Sequence, residues 1–85
     1  MASQPAPVSL SAEQVDALNR HLGDMRHNVN NYLSLITAAT EIVRRKPEVA
    51  ERMMNTVAEQ PPKIISEMRK FSDALEKTLG LTPGS

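Results

Sequence analysis

The chain has 85 residues, and its ten basic and ten acidic residues give a formal net charge of zero. This balance argues against nucleic acid as a partner, and two aromatic residues are too few for a surface that stacks on bases. The chain has no cysteine for disulfides or thiolate metal sites, and no apolar run reaches the roughly 18 to 20 residues that would span a membrane. We therefore expect a small cytoplasmic protein without membrane contact, cofactor or metal.

The N-terminal segment predicts a tail followed by a helix start. Residues 1–10 contain two prolines among small polar residues, which indicates a flexible tail. A capping box follows, in which the Ser11 hydroxyl accepts from the Gln14 amide and the Gln14 side chain reaches back. Leu10 and Val15 fit the hydrophobic staple of the same cap. The pattern predicts a helix start at Ser11.

Apolar residues then recur at alternating spacings of three and four, which predicts an amphipathic first helix over about 11–46. This seam consists of Val15, Leu18, Leu22, Met25, Val29, Tyr32, Ile36, Ala39 and Val43. The apolar surface widens in the second half of the helix through Leu33, Leu35, Ala38 and Ile42. A broad apolar face needs two neighbouring helices, which a four-helix bundle provides.

A second helix is predicted over about 47–79. Pro47 suits its first turn, and Gly80 suits the left-handed position after its end. The short link makes the two helices antiparallel neighbours, so that residues 11–80 form one hairpin, and residues 81–85 are expected to be a tail. A hairpin of this size rarely has a sufficient core alone. The predicted fold is therefore all-α, with two hairpins forming a dimeric four-helix bundle.

The apolar pattern of the second helix is less regular than that of the first. Its apolar residues are Val49, Met53, Val57, Ile64, Met68, Phe71, Leu75 and Leu79. We interpret the phase as slipping between Val57 and Ile64, where Pro61 and Pro62 remove two amide donors. A kink at 61–62 is expected, and a complete break is the less favoured outcome.

The residues around His27 are not ones that the packing of the helix requires. His27 lies at the position of the first helix farthest from the seam, with Gly23 about one turn before it. Asparagine costs roughly 0.5 kcal/mol and glycine about 1 kcal/mol relative to alanine inside a helix. Since Val29 alone in this stretch belongs to the seam, the neighbouring asparagines are predicted to point away from it. They are Asn28, Asn30 and Asn31. Such a loss of helix propensity without a packing reason indicates a functional site.

The spacing around His27 suits phosphoryl chemistry. Asn30 and Asn31 follow it by three and four residues and share its helical face. Asp24 precedes it by three residues and is placed to accept a hydrogen bond from one ring nitrogen. Arg26 is near enough to attract an anion. An exposed imidazole with these neighbours is suited to accept a phosphoryl group on nitrogen.

The other histidine, His21, lies at the edge of the seam without comparable polar company, and we interpret it as structural. Intervals of three residues separate His21, Asp24 and His27 along the first helix. These three residues drift too far around the helix to close a metal site. No metal site is therefore predicted.

The segment His27-Asn28-Val29-Asn30-Asn31-Tyr32-Leu33 resembles the phosphoacceptor motif of sensor histidine kinases. There the motif lies in the first helix of the dimerisation and histidine-phosphotransfer domain, and the resemblance extends from Ser11 to Gly80. It implies that His27 is the phosphoacceptor. It also implies that Asn31 positions water to dephosphorylate a partner receiver. The implied partners are a second copy and a response-regulator receiver or a histidine kinase.

Asn28 departs from the family pattern, in which a carboxylate directly after the histidine acts as a general base. No Gly-rich phosphate loop occurs, and no ATP-binding domain follows Ser85, so an autonomous kinase is not expected. The leading hypothesis is a stand-alone histidine-phosphotransfer-like dimer, with transfer or receiver-phosphatase activity. A non-catalytic dimerisation or docking module derived from a histidine kinase is the second, and a purely structural helical bundle is the third.

Overall fold

A computed structural model describes residues 9–80, and the tails predicted over residues 1–8 and 81–85 lie outside this range. Helix α1 spans Ala12–Arg45, a short 3-10 turn spans Pro47–Val49, and helix α2 spans Ala50–Leu79. No strand occurs within residues 9–80. The two long helices pack against each other as a hairpin, which confirms the predicted all-α class for the single chain.

The helix ends follow from local sequence signals. The Gln14 amide donates to Ser11 Oγ at 3.1 Å, and the Ser11 amide donates to Gln14 Oε1 at 2.8 Å, so the predicted capping box is formed. At the other end of α1, the Lys46 amide donates to the Ile42 carbonyl at 2.7 Å. Gly80 closes α2 in the left-handed region with φ of 73°, as glycine there allows.

The predicted seam of α1 faces α2. All seam residues from Leu18 to Val43 are at least half-buried, and Ala39 is only 2% exposed. The matching positions of α2 repeat at the same three- and four-residue spacing. They are Met53, Val57, Gln60, Ile64, Glu67, Phe71, Ala74 and Thr78.

Two polar residues are buried in this seam, and they correct the interpretation of α2. Gln60 is 2% exposed and Glu67 is 9% exposed. Gln60 falls between Val57 and Ile64, so the heptad continues and the inferred phase slip is wrong. Met68, grouped with the same apolar set, is instead 53% exposed.

Helix α2 runs without a break through Pro61 and Pro62. Each proline leaves one carbonyl of the preceding turn without its usual amide donor. A bend at this point stays a prediction. Within residues 9–80, neither helix contains a stretch long and apolar enough to cross a membrane.

Candidate functional site

His27 lies on the outer face of α1 and is exposed to solvent. Asn30 and Asn31, one turn further along, are also exposed, as are Asp24 and Arg26. The side-chain hydrogen bonds found within residues 9–80 include none that joins the imidazole to these neighbours. The imidazole and both amides therefore face solvent together and are available to a ligand.

Asn28 is directed differently from the other asparagines. Its Nδ2 donates to Glu67 Oε1 on α2 at 2.9 Å, and its side chain is half-buried. The prediction that it points away from the seam is wrong, because it precedes Val29 and therefore flanks the seam. The residue next to His27 thus ties α1 to α2 at the level of the imidazole.

Glu67 is the acceptor at the centre of this contact. Lys70 Nζ approaches its other carboxylate oxygen, Oε2, at 3.1 Å, one turn further along α2. The pKa of the Glu67 carboxyl lies below its ordinary value of 4.5. The hydrogen bond from Asn28 makes the largest contribution to this shift and the hydrogen bond from Lys70 the next largest, while desolvation opposes it. Glu67 is thus held as a carboxylate, whose two oxygens are occupied by an amide and an ammonium.

A polar cleft of about 200 Å³ opens beside this contact. Asp24 and Asn28 line it from α1, and Glu67 and Lys70 line it from α2. His21, at the edge of the seam, also lines the cleft. Each histidine therefore lies near polar groups, but His21 borders the interhelical cleft and His27 lies on the outer face.

A second contact fixes the same part of the hairpin. Lys63 Nζ lies 6.0 Å from the centroid of the Tyr32 ring, at the outer limit of a cation–π contact. Both this pair and the Asn28–Glu67 pair join α1 to α2, and Val29 lies between them along α1. Of these two contacts near His27, the Asn28–Glu67 hydrogen bond at 2.9 Å is the closer one.

Sequence reasoning missed Glu67 and Lys70, since a polar residue on an amphipathic helix is first assigned to the solvent side. The regular heptad through Val57, Ile64 and Phe71 was the signal that would have placed Glu67 in the seam. In residues 9–80, no group of three or more histidine, aspartate or glutamate side chains is arranged to hold a metal ion.

Comparison of the chain with protein-family models, with curated proteins and with solved structures gives no match.

Proposed function

We propose that this chain is a homodimeric, histidine-phosphotransfer-like module of cytoplasmic two-component signalling, which meets a response-regulator receiver through His27. The observation that carries the proposal is the exposed imidazole on the outer face of α1, with Asn30 and Asn31 exposed one turn further along. The resemblance of residues 27–33 to a phosphoacceptor motif supports the same assignment.

The proposed reaction needs an accessible ring nitrogen. A His27 nitrogen attacks the phosphorus of the receiver's aspartyl phosphate, so that the N–P bond forms as the acyl P–O bond breaks. The receiver carboxylate leaves, and the imidazole proton passes to water. Asn31, four residues along the helix, is within reach of the phosphoryl oxygens or of an attacking water. Arg26 adds a positive charge beside the same face.

Dimerisation is supported by how little the single hairpin buries. Ala39, at 2% exposure, is the only apolar residue of residues 9–80 that is buried. A hairpin this thin gains its missing core by association, as small helical scaffolds commonly do.

The test is transfer from phosphorylated receivers of the same genome. Radiolabelled receivers are mixed with the wild-type chain, and acid-labile label on the chain and loss of label from the receiver are both followed. His21→Ala is the matched control, because it removes the only other imidazole. We expect the wild type and His21→Ala to gain label or speed its loss, and His27→Ala to do neither. Equal behaviour of wild type and His27→Ala with every receiver would refute the catalytic proposal.

Asn28 favours a second candidate, a docking module without chemistry. An amide cannot act as a general base, and here it is also engaged by Glu67. In this candidate the dimer sequesters a receiver or pairs with a histidine kinase. Receiver binding that survives His27→Ala, with no label on any variant, would support it over transfer.

A further inference from the structure

The first part of α2, residues 50–60, lies between two irregular joints, and we call it the leading segment. Before it lies the 3-10 turn Pro47–Val49, and Val49 provides no side-chain cap for the helix that follows. After it come Pro61 and Pro62, and each leaves one carbonyl of the leading segment without its helical amide donor. By itself a helix of this length is marginal in water, where about 12–15 residues are needed.

Side chains do little to hold the leading segment against α1. In the described part of the chain, no side-chain hydrogen bond or ion pair joins residues 50–60 to α1. The two side-chain links between the helices, Asn28–Glu67 and Tyr32–Lys63, both lie beyond the prolines. The proline pair therefore separates a part of α2 that has such links to α1 from a part that lacks them.

The packing between the leading segment and α1 is also loose. A groove of about 120 Å³ lies between the two helices here, and Ala39, Met53 and Val57 are among the residues that line it. Met53 and Val57 are the apolar seam residues of the leading segment, and both are only half-buried. A groove beside apolar side chains means fewer of the packing contacts that resist separation of the helices.

Gln60 adds an unpaired acceptor at the end of the leading segment. Its Nε2 donates to the Thr56 carbonyl at 2.7 Å, within the same segment. Its Oε1 is buried and has no hydrogen-bond partner in residues 9–80. A buried acceptor without a donor destabilises the packed state relative to any state in which water reaches it. Separation of the leading segment from α1 gives this oxygen a hydrogen bond to water.

We infer that the leading segment is a locally unfolding unit, which detaches from α1 and loses its helix while the rest of the hairpin stays folded. The missing cap, the prolines, the groove and the unpaired oxygen all weaken this one segment. Proteins open locally in contiguous units at a lower free-energy cost than global unfolding. The opening exposes the α1 seam at Ala39 and Val43, whereas Glu67 keeps its hydrogen bond beside His27. It does not depend on phosphoryl transfer, so its tests are independent of the proposed function.

A thiol at position 39 reports the opening. Ala39 is 2% exposed and the chain has no cysteine, so Ala39→Cys provides a single thiol that the closed hairpin shields. The groove beside it leaves room for the added sulfur. The rate of alkylation by iodoacetamide is measured at low urea concentrations and compared with global unfolding of the same variant. We expect alkylation to be faster than global unfolding allows and to depend less on urea, because local opening exposes less surface.

Two substitutions, each combined with Ala39→Cys, distinguish local from global opening. Gln60→Met removes the unpaired oxygen and should slow alkylation about 10-fold. Gly23→Ala lies outside the leading segment and should leave the rate unchanged, although alkylation through global unfolding would become about 4-fold slower. Alkylation that has the full urea dependence of global unfolding and is slowed by Gly23→Ala would overturn the inference.

Hydrogen exchange of the wild type provides a second measurement without any substitution. The amides of residues 54–60 and 66–72 all lie inside α2, on either side of the proline pair. After correction for intrinsic exchange rates, we expect residues 54–60 to exchange at least about 10-fold faster. Equal protection of the two groups would overturn the inference, even if Ala39→Cys failed to fold.

Discussion

Replacing Gln60 with methionine is expected to stabilise the hairpin. Gln60 is 2% exposed and its Nε2 donates to the Thr56 carbonyl at 2.7 Å, but Oε1 is buried without a partner in the described part of the chain. An unpaired buried acceptor costs about 1–3 kcal/mol. Methionine has a similar unbranched shape without that oxygen. The Thr56 carbonyl still accepts the regular helical hydrogen bond from the Gln60 backbone amide, so losing the side-chain hydrogen bond costs little.

We expect Gln60→Met to raise the free energy of unfolding by about 1–2 kcal/mol. Thermal unfolding followed by circular dichroism, at equal protein concentrations, measures this. In a domain of this size about 1 kcal/mol moves Tm by about 4–8 °C. Gln60→Glu is the matched control, because it keeps the shape and places a carboxyl in the same unpaired position, which should lower Tm. If Gln60→Met melts no higher than the wild type, the reasoning about the buried acceptor is refuted.

Three further changes have defined outcomes. Ser11→Ala removes the capping hydroxyl and should cost about 1 kcal/mol in urea unfolding; an unchanged midpoint would mean that the cap contributes nothing. Gly23→Ala should add about 0.8–1 kcal/mol in the same assay, because a Cβ there meets no atom within 4 Å; a loss of stability would contradict this. Because the pKa of Glu67 is lowered on folding, its carboxylate stabilises the fold above its ordinary value of 4.5 and stops doing so as pH falls through the folded pKa. Unfolding measured from about pH 6 to about pH 3 should therefore show a steeper loss of stability in the wild type than in Glu67→Gln, and equal slopes would exclude this role.

Local signals were sufficient to predict both ends of α1, the C-terminal end of α2 and the α1 seam from Leu18 to Val43. The predicted start of the second helix at Pro47 is wrong, because a 3-10 turn occupies Pro47–Val49 and α2 begins at Ala50. The capping box at Ser11 and the left-handed Gly80 each depend on residues close together in sequence. The seam from Leu18 to Val43 followed from spacing alone, because a long regular heptad leaves one consistent buried face. These parts of the fold were readable because each is determined within one helix.

Contacts between the helices could not be predicted in the same way. Asn28 and Glu67 are 39 residues apart, and nothing in either local pattern pairs them. The predicted apolar set of α2 left out Gln60 and Glu67 because they are polar, so apolar residues from two adjacent faces of the helix were combined into one irregular set. The burial of polar residues in a seam depends on the opposing helix, and the position of that helix is known only from the packed structure.

Mapping the phosphorylated residue tests the central claim most directly. Trypsin cleaves after Arg20, Arg26 and Arg44, so it separates the two histidines onto peptides 21–26 and 27–44. After incubation with a phosphorylated receiver, mass spectrometry at neutral to alkaline pH should find the phosphoryl group on peptide 27–44, at His27. A phosphoryl group on peptide 21–26, or on neither peptide with every receiver, would contradict the assignment of His27 as phosphoacceptor.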